Sequence, residues 1–192
     1  MLSYSYGDGK ESSCENTVNS VQRLFYNIPI NTYFSLDLDG ISALNDSVGG
    51  VDVVSPETIG EFVEGESYHL VGQQAESFVR TRDTSKTDSN NMRMQRQKVY
   101  IQSFMNTVLQ QTKKDLTTPI DLFNASAPYS CTNLNPSKVS YLAQQAVLGG
   151  MNGIDMVSVP GQVAMGSKYA EFNVSEAEFY QLFLSIYYTK IE

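Results

Sequence analysis

Six of the chain's 13 lysines and arginines, Arg80, Arg82, Lys86, Arg93, Arg96 and Lys98, fall between positions 80 and 98. Four of its five arginines are among them. The protein around them is acidic, with 21 Asp and Glu and a formal net charge of −8, and positions 24–79 hold nine acids and no Lys or Arg. A guanidinium is planar, permanently charged and grips phosphate oxygens through paired donors. The grouping predicts a site for a small, highly charged anion. The competing reading is a surface patch whose arginines pair with nearby acids. An acidic chain has no need to gather its arginines for that purpose, so the segregation favours the anion site.

The spacing predicts two walls of one site. Arg80 and Arg82 are two apart, so in an extended segment both side chains point the same way. Arg93, Arg96 and Gln97 stand at i, i+3 and i+4, which a helix gathers on one face. Asp88, Ser89, Asn90 and Asn91 are candidate caps for that helix, and a helix start adds backbone donors and the positive end of its dipole. The polar loop 83–91 joins the walls. A helix over 73–79 that continued through Arg80 would turn Arg80 and Arg82 apart by about 200°.

The elements that must position these residues read as follows. Val18, Val21, Leu24 and Phe25 recur at helical spacing, and Pro29 closes that helix. Residues 30–36 are rich in β-formers. Asp37 or Asp39 caps a helix through Ile41, Leu44 and Val48, which Gly49-Gly50 stops before a strand at 51–54. Asp52 alternates with Val51 and Val53 and is expected to face away from the buried side. Residues 55–69 read as an acidic loop. A long helix is expected over 91–111, with Val99, Ile101, Phe104, Met105, Val108 and Leu109 on its apolar face. Further helices are expected at 137–148 and 179–188, the last opened by a capping box from Ser175 to Glu178, and a strand at 154–159. The order implies an α/β fold with one mixed central sheet flanked by helices on both sides. Residues 1–114 and 115–192 divide it into a main part and an extension packed on the same domain.

Composition excludes several classes. A hydrophobic fraction of 41% is too rich for disorder, and no run of 18 apolar residues exists to span a membrane. The acidic balance argues against nucleic acid, whose binders present a broad basic face. The single histidine, His69, has no Cys or His near it in sequence, so neither zinc nor a histidine-based triad is supported. Cys14 and Cys131 lack the spacing of a metal or redox motif. An oxidising setting would permit them to pair, but the reading preferred from the sequence is two free thiols buried as small apolar residues.

At these residues the chain also resembles a known family. YFSLDLDGISALNDSVGGVDVVSPE, then LVGQQAESFVRTRD, then RMQRQ occur in order, as in the LytR-CpsA-Psr family of cell-envelope phosphotransferases. The likeness covers about positions 3–112. It implies transfer of a glycopolymer such as a teichoic acid or capsule chain from a polyprenyl-pyrophosphate carrier to peptidoglycan, at the extracellular face of the cytoplasmic membrane. It assigns pyrophosphate binding to Arg80, Arg82, Arg93 and Gln97, and places Arg96 and Asp83 beside them. It also implies an apolar tunnel for the polyprenyl chain, with Phe25, Phe34, Phe62 and Phe104 as candidate walls where core packing is the alternative. Members use magnesium, held by acids in a preceding Ser-Asp-Thr and Pro-Arg-Asp segment. Neither stretch occurs here, so the chain is expected to lack the N-terminal part of the domain and to hold no metal ligands of its own. Two further readings follow from that: a polyprenyl-pyrophosphate-binding envelope protein without catalysis, or a transcriptional regulator. An exposed apolar slot would also make a homodimer a candidate.

Overall fold

A computed structural model describes residues 3–83, 85, 89–167 and 170–188. Helix α1 (Glu11–Leu24) ends where Tyr26 and Asn27 adopt positive φ, ahead of Pro29. Only Phe34–Leu36 of the expected first strand is regular, as β1. Helix α2 (Gly40–Ser47) starts after Asp39 and stops at Gly49 and Gly50, with φ of 79° and 91°. A side chain at Gly50 would sit 2.5 Å from the His69 ring, so both backbone freedom and space demand glycine there.

Strand β2 (Val51–Val54) buries Val51 and Val53 and exposes Asp52, as its alternation predicts. It pairs antiparallel with β3 (Ser67–Leu70), which lies within the stretch expected to be loop. Helix α3 (Gln73–Arg80) and the long α4 (Ser89–Lys114) follow, then α5 (Thr118–Ser126), β4 (Ser130–Thr132) and α6 (Pro136–Leu148). Strand β4 returns to pair with β1, with Ser35 opposite Cys131. These elements belong to one compact unit that runs to Asp155.

A second compact unit runs from Met156. It holds the hairpin β5 (Gly161–Met165) and β6 (Ala170–Val174) and helix α7 (Glu176–Tyr187). The strand expected at 154–159 is irregular, because its alternating residues find no partner and the hairpin forms one turn later. Ser175 caps α7 by position, without the side-chain hydrogen bond of a capping box.

The α/β class read from the sequence is what the chain forms. Among the described residues its strands are distributed over three antiparallel pairs rather than gathered into one mixed sheet. The β5–β6 connection is too short for the crossover of a dozen residues or more that parallel neighbours need, whereas β1 and β4 meet from distant parts of the chain.

The core of the first unit lies between the β2–β3 ladder and helices α3 and α4. Phe62 belongs to it. Phe62 is 2% exposed and meets Phe78 edge-on at 5.0 Å and Tyr68 at 5.2 Å. Asn45, wholly buried, donates to the Leu70 carbonyl at 2.8 Å and accepts from the Tyr100 hydroxyl at 3.2 Å. That network ties α2, β3 and α4 together through satisfied polar groups.

On the ladder's exposed face, His69 Nδ1 lies 2.7 Å from Asp52 Oδ1 and Nε2 lies 3.1 Å from the Gly49 carbonyl. Two acceptors facing both ring nitrogens favour the imidazolium. The hydrogen bond to Asp52 therefore raises the pKa of His69 above its ordinary 6.5. A raised folded-state value means the pair stabilises the ladder below pH 6.5 and loses that effect as pH rises through the folded pKa. An NMR titration of the lone histidine is expected to give a pKa above 6.5 that falls back toward it in Asp52→Asn. A value at or below 6.5 in the wild type would contradict the contact.

Candidate functional site

The site is built where the end of α3 meets the first turns of α4. The last carbonyls of a helix have no partner within it. In α3 they are taken by side chains of α4. Arg96 donates to the Phe78 carbonyl at 2.6 Å and also to the Thr81 carbonyl, and Gln97 donates to the Val79 carbonyl at 3.2 Å. A cation at this end also opposes the negative pole of the helix dipole.

Arg96 is completely buried. Its Nε lies 2.7 Å from Oε1 of Glu57, itself only 8% exposed. Neither of those two atoms has an aligned hydrogen bond, so the contact is ionic rather than a straight N–H···O bond. Burial pushes the Arg96 pKa down, and Glu57 pulls it back up. The group expected beside the anion is thus fully engaged within the protein. The Phe78 and Thr81 carbonyls and Glu57 hold it inward, and there it fixes the stretch of chain that carries Arg80 and Arg82.

The remaining expected residues surround this clamp. Arg80 is the last residue of α3 and pairs with Glu76 at 2.6 Å, one helical turn back. The shared extended face expected for Arg80 and Arg82 does not form, because the helix runs through Arg80 and turns extended only at Thr81, with ψ of 137°. Arg82 instead reaches across, its Nε donating to Ser89 Oγ at 3.0 Å in the first turn of α4. Arg93 stands four residues further along that helix, on the face Ser89 shares. It donates to Asn90 Oδ1 at 2.9 Å, while its Nε is buried without a hydrogen-bond partner. Asp83 accepts from the Ser85 amide at 3.1 Å and the Ser85 hydroxyl at 2.5 Å. Lys86, and Asp88 as a cap, lie outside the described residues.

An apolar cavity of about 260 Å³ opens directly beside this cluster. Val79 and Gln97, joined by their hydrogen bond, line it next to the clamp, and the rest of its lining is Leu36, Leu38, Ile41 and Leu44 of the β1–α2 segment with Tyr100, Ile101 and Phe104 of α4. Of the four phenylalanines expected as walls, Phe104 alone lines it. Phe62 is in the core. Phe34 faces a separate hollow beside α1. Phe25 is the C-cap of α1 and is not among the residues that line the cavity. Aromatic character is thus a poor guide to the wall. The helical spacing 93, 97, 101, 104 is a better one, because it places cationic and apolar residues in one stripe. Glu57 had no comparable signal, being one acid among many in its loop.

Among the described residues there is no group of three or more His, Cys, Asp or Glu placed to hold a metal ion.

Comparison with known proteins places this geometry in context. The sequence profile of the LytR_cpsA_psr family matches residues 2–184. A polyisoprenyl-teichoic acid–peptidoglycan teichoic acid transferase, TagU of Bacillus anthracis, is 39% identical over 62 residues. That match covers 30% of this chain and only a fifth of the relative's length. The crystal structure of B. subtilis TagV superposes with a TM-score of 0.71 at 22% identity, covering 98% of this chain and 74% of that one. An Enterococcus faecalis protein described as a transcriptional regulator gives a TM-score of 0.73 at 22% identity, over 95% of this chain and 66% of its own. At such identities the structural likeness speaks to the fold.

The Arg96–Glu57 clamp has a measurable consequence. Removing one partner of a buried ion pair strands the other. Arg96→Met is expected to lower unfolding free energy by about 3–5 kcal/mol in urea titration, and adding Glu57→Leu to recover part of the loss. A surface-like effect under about 1 kcal/mol would contradict the burial.

Proposed function

Because the chain belongs to the LytR_cpsA_psr family, we propose that it binds a polyprenyl pyrophosphate that carries a glycopolymer and serves the transfer of that polymer to peptidoglycan. The observation that carries this reading is the stripe Arg93, Gln97, Ile101 and Phe104 on α4. It starts at the arginines and ends in the apolar cavity. A lipid pyrophosphate has the same order, two phosphates and then hydrocarbon. The cavity has room for the head-proximal part of the chain, and the exposed Leu38 and Ile101 leave its mouth open for the rest.

In this reading Arg80 and Arg82 hold one phosphate, and Arg93 with Gln97 holds the other. Arg80 exchanges Glu76 for phosphate. Arg80 is 59% exposed in that pair, so it is free to swing to the anion, and a guanidinium–phosphate contact is strong and bidentate. The unpartnered Nε of Arg93 gains an acceptor. Asp83 and the buried Arg96 shape the turn between these groups. Transfer forms a bond from an acceptor hydroxyl of peptidoglycan to phosphorus and breaks the pyrophosphate link, releasing polyprenyl phosphate. The arginines contribute by positioning and by neutralising charge as it builds on the leaving group. Teichoic acid is the polymer named for TagU, and a teichoic acid or capsule chain is the substrate class proposed here. Such chemistry belongs at the outer face of the cytoplasmic membrane, although no described helix is long and apolar enough to cross it.

Calorimetric titration with a polyprenyl pyrophosphate tests the reading. Binding is expected in the wild type and weakened about tenfold or more in Arg80→Ala and in Arg93→Ala, with transfer slowed about a hundredfold where it is measurable. Unchanged affinity in both variants would sink it.

A further inference from the structure

Cys14 and Cys131 are far apart in sequence, yet the fold brings them to one hollow. Cys14 sits on α1 and is 3% exposed. It lines a small cavity together with Ser35 of β1. Ser35 and Cys131 are direct partners across the β1–β4 ladder, so their side chains stand on the same face of it. Cys131 therefore stands beside Ser35 on the face of the ladder that Ser35 presents to the hollow. Cys131 and Ser35 are the near neighbours whose side chains act on the Cys14 thiol. Both sulfurs are free thiols in this structure.

We propose that Cys14 and Cys131 form an intrachain disulfide that staples α1 to the β1–β4 ladder. The staple acts next to the functional site, because β1 ends at Leu36, which lines the apolar cavity. Helix α1 packs against β4, so the two cysteines approach each other from neighbouring elements, as a disulfide requires.

The chemistry requires a disulfide oxidant, either a small-molecule disulfide or a thiol–disulfide oxidoreductase. Cys131 is the more exposed of the two and reacts first. Its thiolate attacks one sulfur of the oxidant, forming a mixed disulfide and expelling one oxidant thiolate. Cys14 then loses its proton to solvent and attacks the Cys131 sulfur, expelling the second thiolate. The two protein thiols are oxidised, and one oxidant disulfide is reduced to two thiols. Burial holds the Cys14 thiol pKa up, which makes the second step the slower one.

The test uses the full chain incubated with oxidised glutathione, beside a sample kept in dithiothreitol. The oxidised protein is expected to be two hydrogens lighter by intact mass and to show no free thiol. A single non-reduced peptide pair should contain both cysteines. The bond closes a loop of well over a hundred residues, so thermal unfolding should shift up by roughly 5–15 °C. Cys131→Ser should abolish the mass change and the shift together. Three results would each overturn the proposal: glutathione adducts that persist on either cysteine, disulfide-linked dimers without the internal link, or two thiols that remain free.

Discussion

A guanidinium with no access to water holds this site together. Arg96 sits at 0% exposure and joins three parts of the chain: the end of α3 through the Phe78 and Thr81 carbonyls, the loop after β2 through Glu57, and α4 itself. Burying such a charge is costly, and its attraction to Glu57 offsets that cost only in part. The compensation is that orphaned carbonyls at the end of α3 receive donors. The residues they flank, Arg80 and Arg82, are then held beside the first turns of α4. A clamp of fixed geometry is what an anion site needs, because preorganised donors do not have to be ordered when the ligand arrives.

The clamp also explains why charge and hydrocarbon meet here. Helix α4 enters the site with Arg93 and leaves it with Ile101 and Phe104, and Gln97 stands between them with one hand on the Val79 carbonyl. Val79 and Gln97 touch both the cationic cluster and the cavity. The second wall of the cavity comes from Leu36, Leu38, Ile41 and Leu44, a run placed by the short β1 strand and the start of α2. The Asn45–Tyr100–Leu70 network fixes α2 against α4 at that wall. The cavity is therefore bounded by elements that are locked to each other by polar contacts rather than by apolar packing alone.

Much of this was legible in the sequence, because the strongest signals were local. The gathering of arginines, the i, i+4 spacing of Arg93 and Gln97, the alternation around Asp52 and the Gly49-Gly50 stop each depend on neighbours in the chain. What the sequence hid depends on distant ones. Arg96 and Arg93 look equivalent by type, and only the arrival of α3 and Glu57 decides which of them turns inward. Phe62 and Phe104 are the same residue type, yet one packs on Phe78 and the other lines a cavity. The division of strands into three ladders was hidden for the same reason. Pairing of β1 with β4 joins segments almost a hundred residues apart, and short-range periodicity carries no record of that.

The most direct test of the account is where the hydrocarbon lies. A polyprenyl pyrophosphate bearing a photoreactive diazirine in its head-proximal isoprene units would be irradiated with the protein and the labelled residues mapped by mass spectrometry. The account predicts labelling at the cavity wall, on Leu36, Leu38, Ile101 or Phe104, suppressed by excess unlabelled lipid pyrophosphate. Labelling confined to the hollow beside α1, or spread over the surface without competition, would contradict it.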